Sequence, residues 1–332
     1  MVPFSILDLS PVAEGSTVSQ SFAGSKRMAQ KAEELGYNRF WLAEHHGMPG
    51  VASAATSVVI GHVGAATSRI RIGSGGVMLP NHSPLVIAEQ FGTLEALFPG
   101  RVDLGLGRAP GTDMRTAQAL RRNLDAGAQS FPNDIVELQR LFGPANESQS
   151  ILAVPGNGTN VPIWLLGSSL YSAHLAAALG LPYAFASHFA PEALLDAIAI
   201  YRDRFTPSAT LEKPYVMVGV MGSAASTDEE AEYHFTSAQQ QFVNLRRNVR
   251  GPFPRPRSDM DDFWTPMEKL TVEHTLRYAV VGAPETAEAK LSRFIKDTEA
   301  DEVIISMPIH DIEARLRSVE LFATLPSFKP AA

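Results

Sequence analysis

Short apolar runs recur along the chain, and most of them precede a stretch in which apolar residues return at helical spacing. Strands that are apolar throughout, rather than at alternate positions, are typical of a parallel sheet covered by helices. The runs predict strands over residues 4–9, 40–43, 70–79, 102–107, 162–166, 183–186, 215–220 and 303–307. These units in series favour a single (β/α)8 barrel of the TIM type over an open doubly wound sheet.

Turn and capping residues mark the ends of several predicted helices. Residues 21–35 carry an apolar stripe at helical spacing, and Gly36 follows them as a stop signal. Ser83 and Pro84 predict an N-cap and a proline at the first helical position, which together open a helix over residues 85–97. A further helix is predicted over residues 191–205, after the sixth strand.

No linker divides the chain, so we expect one domain over residues 1–332. Two connections are longer than the others: residues 108–161 after the fourth strand and residues 222–302 after the seventh. A capping box at residues 227–230 opens a helix in the second connection. The region around residues 223–285 therefore predicts either a lid or an oligomer contact near the barrel mouth, with surface padding as the alternative.

The composition and net charge of the chain argue against several classes of function. The chain is 45% hydrophobic and 19% charged, with a net charge of −7 and no cysteine. We therefore expect no nucleic-acid role, no disulfide, no thiolate catalysis and no Cys-ligated metal. No apolar stretch is long enough to span a membrane, and residues 1–12 lack a signal-peptide pattern, so we expect a cytoplasmic protein.

The carboxyl end of the second predicted strand carries Glu44, His45 and His46. Active sites of TIM barrels lie at this end of the strands. Neighbouring residues of an extended strand point to opposite faces, so the two histidines do not face one pocket unless a turn begins there. A proton-transferring imidazole, a structural imidazole and a metal-dependent hydrolase that uses all three residues stay open as interpretations.

Polar residues at the ends of strands four and five predict an anion site. Arg108 offers a guanidinium fork, and Ser168, Ser169 and Ser172 gather hydroxyls where a helix over residues 172–179 begins. Simple N-capping is the alternative for the serines, but Arg108 at the neighbouring strand end favours a phosphate clamp. Residues 105–111 do not form a dinucleotide fingerprint, because Pro110 occupies the third glycine position.

The third predicted strand ends in Gly73, Ser74, Gly75 and Gly76. Glycine weakens a strand interior and usually marks a bulge or the close approach of a ligand to the backbone. A flat ring lying against these residues would explain the glycines, and close packing of neighbouring elements is the alternative.

These segments, taken in order, resemble the luciferase-like monooxygenase family. The resemblance lies in residues 40–46, 73–84, 88–90, 99–108, 164–169 and 180–182, and it is weakest over residues 222–286. It is strongest to the single-chain, luciferase-alpha-like branch of the family. It implies that reduced FMN, delivered by a separate NAD(P)H:flavin reductase, reacts with oxygen to give a flavin C4a-hydroperoxide that oxidises a small organic substrate.

The resemblance also assigns roles by position. His45 resembles the essential histidine that assists proton transfer, and Gly75-Gly76 aligns with a non-proline cis peptide against which the isoalloxazine ring lies, with Ser74 beside it. The implied phosphate-binding residues are Arg108, Ser168, Ser169 and Ser172. The family tends to form dimers, and we expect a homodimer through residues 85–97.

Two departures from the light-emitting members narrow the expected activity. Gly107 stands where they carry a reactive cysteine, and Ser168 stands where they carry a glutamate, so we do not expect light-emitting oxidation of long-chain aldehydes. For Asp113 we expect helix capping rather than a flavin contact. A deazaflavin-dependent reductase or dehydrogenase and a flavin-binding protein without turnover are the alternatives on the same barrel.

Overall fold

The computed structural model describes residues 1–109, 114–120, 124–145 and 150–331, so Asp113 lies outside the described residues. Within them, eight parallel strands close into a barrel in the order β1-β2-β3-β4-β5-β6-β7-β9, and β9 pairs back to β1. The strands are Phe4–Asp8 (β1), Arg39–Leu42 (β2), Arg71–Met78 (β3), Val102–Gly107 (β4), Ile163–Gly167 (β5), Tyr183–Phe185 (β6), Val216–Ala224 (β7), Val280–Gly282 (β8) and Glu302–Ser306 (β9). The predicted (β/α)8 barrel is confirmed.

Helices surround the barrel and fill the long connections. They are Val18–Leu35 (α1), Thr56–Gly64 (α2), Pro84–Leu97 (α3), Met114–Leu120 (α4), Leu124–Phe142 (α5), Leu170–Leu179 (α6), Leu194–Asp203 (α7), Asp228–Arg246 (α8), Pro266–Thr275 (α9), Pro284–Thr298 (α10) and Ile312–Ala323 (α11). Helix α1 begins three residues before the predicted segment, because Thr17 forms a capping box with Gln20, and it ends at Gly36 in the left-handed conformation.

The structure corrects three details of the prediction. Strand β7 continues to Ala224 and pairs there with β8, a three-residue strand outside the barrel that is too short to give a recognisable apolar run. The Ser83 side chain makes no capping hydrogen bond, although Pro84 does open α3. Thr227 accepts a hydrogen bond from the Glu230 N–H, but the Glu230 carboxylate accepts from Ser226 instead of completing the capping box.

A buried ionic network lies near the amino ends of the barrel strands. Asp103 accepts hydrogen bonds from Arg39 at 2.7 Å and from Arg71 at 2.6 Å, and Arg39 also donates to Glu302 at 2.9 Å. Burial opposes ionisation of Asp103, but the charges of Arg39 and Arg71 outweigh it and lower the pKa of this carboxyl. The guanidinium of Arg39 also lies 4.6 Å from the ring centre of Trp164, so the network closes this end of the barrel with satisfied charges.

The insertion after β7 packs as a small second core beside the barrel. Phe235, Val243 and Val272 are among its buried residues. Hydrogen bonds join it to the loop after β1: Phe253 N–H donates to the Val12 carbonyl at 2.7 Å, and Glu14 N–H donates to the Phe253 carbonyl at 2.9 Å. The insertion is therefore tied to the rim of the barrel. Among the described helices, none combines the length and apolar character required to cross a bilayer, and the cytoplasmic location stays a prediction.

Candidate active site

A cavity of about 970 Å³ opens at the carboxyl ends of the strands. Its walls are the ends of the barrel strands, and part of the insertion, including Gln241, Phe242 and Phe253, closes one side. This volume lies near the upper end of the range found for small-molecule sites. Among the expected site residues it is bordered by His45, Gly75, Gly76, Arg108, Ser168, Ser169 and Ser172. The structure thus brings together seven of the eight residues selected from the sequence.

Ser74 is the exception. It is fully buried, its hydroxyl donates to the Gly105 carbonyl at 2.9 Å, and the same oxygen accepts from the Gly105 N–H at 3.0 Å. The residue does not border the cavity. The Ser74 hydroxyl therefore joins strand β3 to strand β4, and the expected cofactor contact of this residue stays a prediction.

The Gly75–Gly76 peptide bond is cis, as the resemblance implied. A Cβ atom on Gly76 would lie 2.6 Å from the Gly105 carbonyl oxygen, and one on Gly75 would lie 2.8 Å from the Leu7 side chain. The backbone contact at Gly76 therefore already requires glycine there, whereas a side chain at Gly75 would displace the Leu7 side chain. Both residues still border the cavity, so a planar ligand could lie against them.

Glu44 is the centre of a hydrogen-bond network beside this peptide. Its backbone N–H donates to the Gly76 carbonyl at 3.2 Å, and its carboxylate accepts from the Met78 N–H at 3.1 Å. The imidazoles of His46 and His82 lie 2.8 and 2.9 Å from the same carboxylate. Burial opposes its ionisation, but the hydrogen bond and charge of His82 and the further donors lower the pKa of Glu44. Glu44 thus fixes the end of β3 to the end of β2.

His45 and His46 both border the cavity, against the expectation from an extended strand, because β2 already ends at Leu42. Their contacts differ: the His46 imidazole contacts the Glu44 carboxylate, whereas Nδ1 of His45 contacts the Glu44 carbonyl oxygen. Burial lowers the pKa of His45, so its imidazole is neutral near pH 7. Its Nε2 makes no hydrogen bond to any residue that the structure describes, which leaves this nitrogen available to a ligand.

The nitrogen and oxygen atoms of Glu44, His46 and His82 lie within 4.8 Å of one another, a spacing that could accommodate a metal ion. His45 is not part of this group, so the hydrolase site of Glu44, His45 and His46 considered above does not form. The Glu44 carboxylate also accepts hydrogen bonds from Met78 N–H and Asn81 Nδ2, so N–H donors already surround it. We therefore assign this network the role of positioning the ends of β2 and β3 beside the cavity.

The predicted anion site lies on the rim formed by β4, β5 and α6. Ser168 and Ser169 are exposed, and Ser169 is the N-cap residue of α6 without a side-chain capping bond. Arg108 stacks on Tyr171, with the guanidinium carbon 4.0 Å from the ring centre, and donates no hydrogen bond within the described residues. Ser172 is buried, and its hydroxyl donates to the Ser169 carbonyl at 3.0 Å. Free donors therefore converge on one rim of the cavity.

Two cavity or near-cavity residues were missed as site residues. His188 follows β6 and borders the cavity, and His82 reaches Glu44 from the turn after β3. The sequence placed His188 at a strand end, which is a signal for the mouth of a barrel. It gave no indication that the imidazole turns inward, because no regular spacing continues beyond the three-residue strand β6.

Comparison with known proteins agrees with this geometry. The sequence model of the family described as luciferase-like monooxygenase matches residues 2–302. The chain belongs to this family. An Escherichia coli (strain K12) luciferase-like monooxygenase is 53% identical over 320 residues, which are 96% of each chain. N-acetyl-S-alkylcysteine monooxygenase of Bacillus subtilis (strain 168) is 32% identical over 335 residues, covering 97% of this chain and 98% of the relative.

Solved structures share the whole fold of this luciferase-like monooxygenase. The structure of apo-MsnO8 superposes with a TM-score of 0.87 at 32% identity, covering 99% of this chain and 100% of that one. The FMN complex of the oxygenating constituent of 3,6-diketocamphane monooxygenase from Pseudomonas putida gives 0.68 at 16% identity, with 100% and 99% coverage. An F420-dependent secondary alcohol dehydrogenase gives 0.70 at 14% identity, with 96% and 98% coverage. At these last two identities the likeness concerns the fold.

Proposed function

We propose that the protein is an FMN-dependent monooxygenase that uses reduced FMN and oxygen to oxidise a small organic substrate. The observation that carries this proposal is the set of free donors on one rim of a cavity that also contains an available imidazole. Family membership supports an oxidoreductase of the monooxygenase type. When bound, reduced FMN would supply the electrons that activate oxygen.

The residues present fit the cofactor. Arg108 and the hydroxyls of Ser168 and Ser169 form an unsatisfied set of donors at the N-terminus of α6, which suits a phosphate dianion. Gly75 and Gly76 border the cavity without side chains, which leaves their backbone accessible to a planar ring. The walls away from the rim are largely apolar and include Met221, Phe242 and Ile304, so they exclude water from the reacting atoms.

His45 is the proposed proton-transfer residue. Its Nδ1 is fixed by the Glu44 carbonyl, so Nε2 is the nitrogen that would accept a proton from the ligand or return it. The lowered pKa keeps this imidazole neutral at physiological pH and therefore able to act as a base. Glu44 supports this geometry because it fixes the adjacent backbone to β3.

The direct test mixes the protein and photoreduced FMN with oxygenated buffer in a stopped-flow spectrometer. We expect a transient absorbance that neither free reduced nor free oxidised FMN produces. The His45→Ala variant should keep the fold and bind FMN as tightly as the wild type, but its transient should decay more slowly or yield less oxygenated product. A His45→Ala variant with wild-type kinetics would remove this residue from the mechanism.

A deazaflavin-dependent dehydrogenase is the second candidate, since a cofactor of that class also carries a phosphate and a dehydrogenase with this fold uses F420. Oxygen uptake separates the two candidates, because the dehydrogenase reaction requires no oxygen. A protein that binds FMN tightly but gives no transient and no product would instead be a flavin-binding protein without turnover.

The proposed partners are a separate NAD(P)H:flavin reductase and a second copy of the chain. Val86 and Leu97 on α3 are exposed apolar side chains in the region expected to form the dimer, and Val58 on α2, a helix that packs against α3, is exposed as well. Sedimentation should give the mass of a dimer, and a monomer at micromolar concentration would contradict this part of the proposal.

A further inference from the structure

His188 lies at the carboxyl end of β6, on the wall of the barrel opposite β2. The strand order places β2 and β6 four strands apart in a ring of eight, so residues at their ends face each other across the cavity. The neighbouring Ser187 hydroxyl donates a hydrogen bond to the Gly219 carbonyl on β7 at 2.6 Å. The Phe189 ring packs edge-on against the imidazole, with 4.7 Å between the two ring centres. The position of His188 is thus fixed from two sides.

The imidazole lies against the backbone of β7. Its Nδ1 is buried and has no hydrogen-bond partner among the described residues. A Cβ atom on Gly219 would lie 2.3 Å from this nitrogen, so only glycine at residue 219 allows the ring to occupy its present place. A buried polar atom without a partner costs free energy, so the placement of this ring against β7 is unfavourable for the fold alone.

The other nitrogen, Nε2, borders the cavity and makes no hydrogen bond to a residue of the described chain. Burial lowers the pKa of His188 to about 4, and the nearby charge of His45 contributes in the same direction. At neutral pH the imidazoles of His45 and His188 are therefore uncharged and lie on opposite walls of the cavity. A ligand that enters between them meets one polar nitrogen from each side.

We propose that His188 is a cofactor-contacting residue, which forms a hydrogen bond through Nε2 with the flavin ring. This inference rests on the proposed function. It assigns His188 a binding role that is separate from proton transfer by His45, and it explains why a polar ring is placed against β7 in an otherwise apolar wall that includes Met221 and Ile304.

The first test titrates oxidised FMN into the wild type and two variants and follows flavin absorbance and fluorescence. His188→Ala should weaken FMN binding about 3- to 10-fold, the scale of one hydrogen bond, and should change the absorbance spectrum of the bound flavin. His188→Gln keeps a hydrogen-bonding group, so it should restore most of the affinity. The control His174→Gln removes an exposed histidine of α6 that does not border the cavity, and it should bind like the wild type.

The second test uses the wild-type protein and does not depend on whether the variants fold. The protein is labelled with ¹⁵N-histidine, and the His188 signals are assigned through the contact of the imidazole with the Phe189 ring. Addition of oxidised FMN should shift the Nε2 signal of His188, whereas the signals of His174 should stay in place. An unchanged His188 signal in FMN-saturated protein would overturn the inference.

The outcomes distinguish this inference from the proposed function. If the wild type fails to bind FMN, the proposed function itself fails. If the wild type binds FMN and requires Arg108 for it, while His188→Ala has wild-type affinity and spectrum, only the role of His188 is wrong. Equal loss of affinity in His188→Ala and His188→Gln, with unchanged thermal stability, would indicate a steric role and would also overturn the hydrogen bond.

Discussion

Polar side chains at the two ends of the barrel differ in whether their hydrogen-bonding groups have partners. At the amino ends of the strands, Asp103 is fully buried and accepts hydrogen bonds from Arg39, Arg71 and Trp41. At the carboxyl ends, Arg108 and the imidazole of His188 have donors or acceptors without partners in the described chain. The comparison separates charges that hold the barrel together from polar groups that remain available to a ligand.

The energetic consequences of this difference are opposite. Removing one member of a buried, paired network leaves the other charge desolvated and uncompensated, so the cost appears in the free energy of unfolding. Removing a donor that has no partner in the free protein costs the fold little, and its effect appears when the ligand binds. Substitutions of Asp103 should therefore act mainly on stability, and those of Arg108 mainly on affinity.

The largest effect is expected for Asp103→Asn. The variant keeps the size of the side chain but removes the negative charge between Arg39 and Arg71. We expect the free energy of unfolding, measured by urea denaturation, to fall by about 3–5 kcal/mol, as for other broken buried ion pairs. FMN affinity of the folded fraction should be unchanged.

An exposed ion pair provides the control for this substitution. Glu313→Gln breaks the pair between Arg27 and Glu313, whose side chains are 47% and 68% exposed, and should give no measurable change in stability. If Asp103→Asn were equally harmless, the network at the amino ends would not stabilise the barrel.

Arg108→Ala tests the other end. We expect FMN binding to weaken by about 1.5–3 kcal/mol, the scale of a charge-assisted hydrogen bond to phosphate. The free energy of unfolding should stay within about 0.5 kcal/mol of the wild type, as for other surface substitutions. Riboflavin, which lacks the phosphate, should bind both proteins with equal affinity. Unchanged FMN affinity in the variant would contradict the phosphate clamp.

His45 and His188 make the carboxyl end of the barrel sensitive to acid. Burial lowers the pKa values of His45 and of His188, the latter to about 4, so the unfolded chain takes up protons at a higher pH than the folded one. Stability is therefore complete above about pH 6.5 and is lost as the pH falls toward 4. For His188 we expect a loss of about 1–2 kcal/mol, less than the shift alone implies because the ring borders an open cavity.

Comparing wild type with His188→Gln isolates this contribution from the carboxylates. Denaturation at a series of pH values should show a smaller loss of stability between pH 6.5 and 4 in the variant. Parallel pH profiles for the two proteins would show that His188 does not titrate differently in the folded state.

The sequence predicted features that depend on neighbouring residues, and it did not predict contacts between residues that are far apart in the chain. The apolar runs predicted the barrel. The residues that follow these runs predicted most of the cavity wall, because the strand ends of a closed barrel meet at one mouth. The sequence did not show that Ser74 lies outside the cavity wall, because this depends on the bond of its hydroxyl to Gly105, a residue 31 positions away. The inward turn of His188 likewise depends on Gly219 in the next strand, which no local pattern reveals.

The sequence likewise did not predict the ionic network at the amino ends of the barrel strands. Arg39, Asp103 and Glu302 lie on three different strands, and each would look like an isolated polar residue in an apolar run. Their pairing follows from the register of β2, β3, β4 and β9, which the sequence pattern does not fix. Local patterns therefore predicted which residues border the cavity better than which residues hold the barrel closed.

The smallest expected effect concerns the ordering of Arg108 at the carboxyl end. Tyr171 offers the face of its ring to the guanidinium at 4.0 Å, and a cation held in this way loses less side-chain entropy when it binds phosphate. Tyr171→Leu should weaken FMN binding by about 0.5–1 kcal/mol, whereas Tyr171→Phe keeps the ring face and should bind like the wild type.

Isothermal titration of FMN into the three proteins decides between the ring face and the hydroxyl of Tyr171. Equal weakening in Tyr171→Leu and Tyr171→Phe would assign the effect to the hydroxyl. Wild-type affinity in both would mean that Arg108 needs no support. If only Tyr171→Leu weakens binding, the ring face of Tyr171 orients the Arg108 guanidinium before the ligand binds. The charge at the carboxyl end of the barrel would then be positioned by a neutral ring, whereas the arginines at the amino end are positioned by carboxylates.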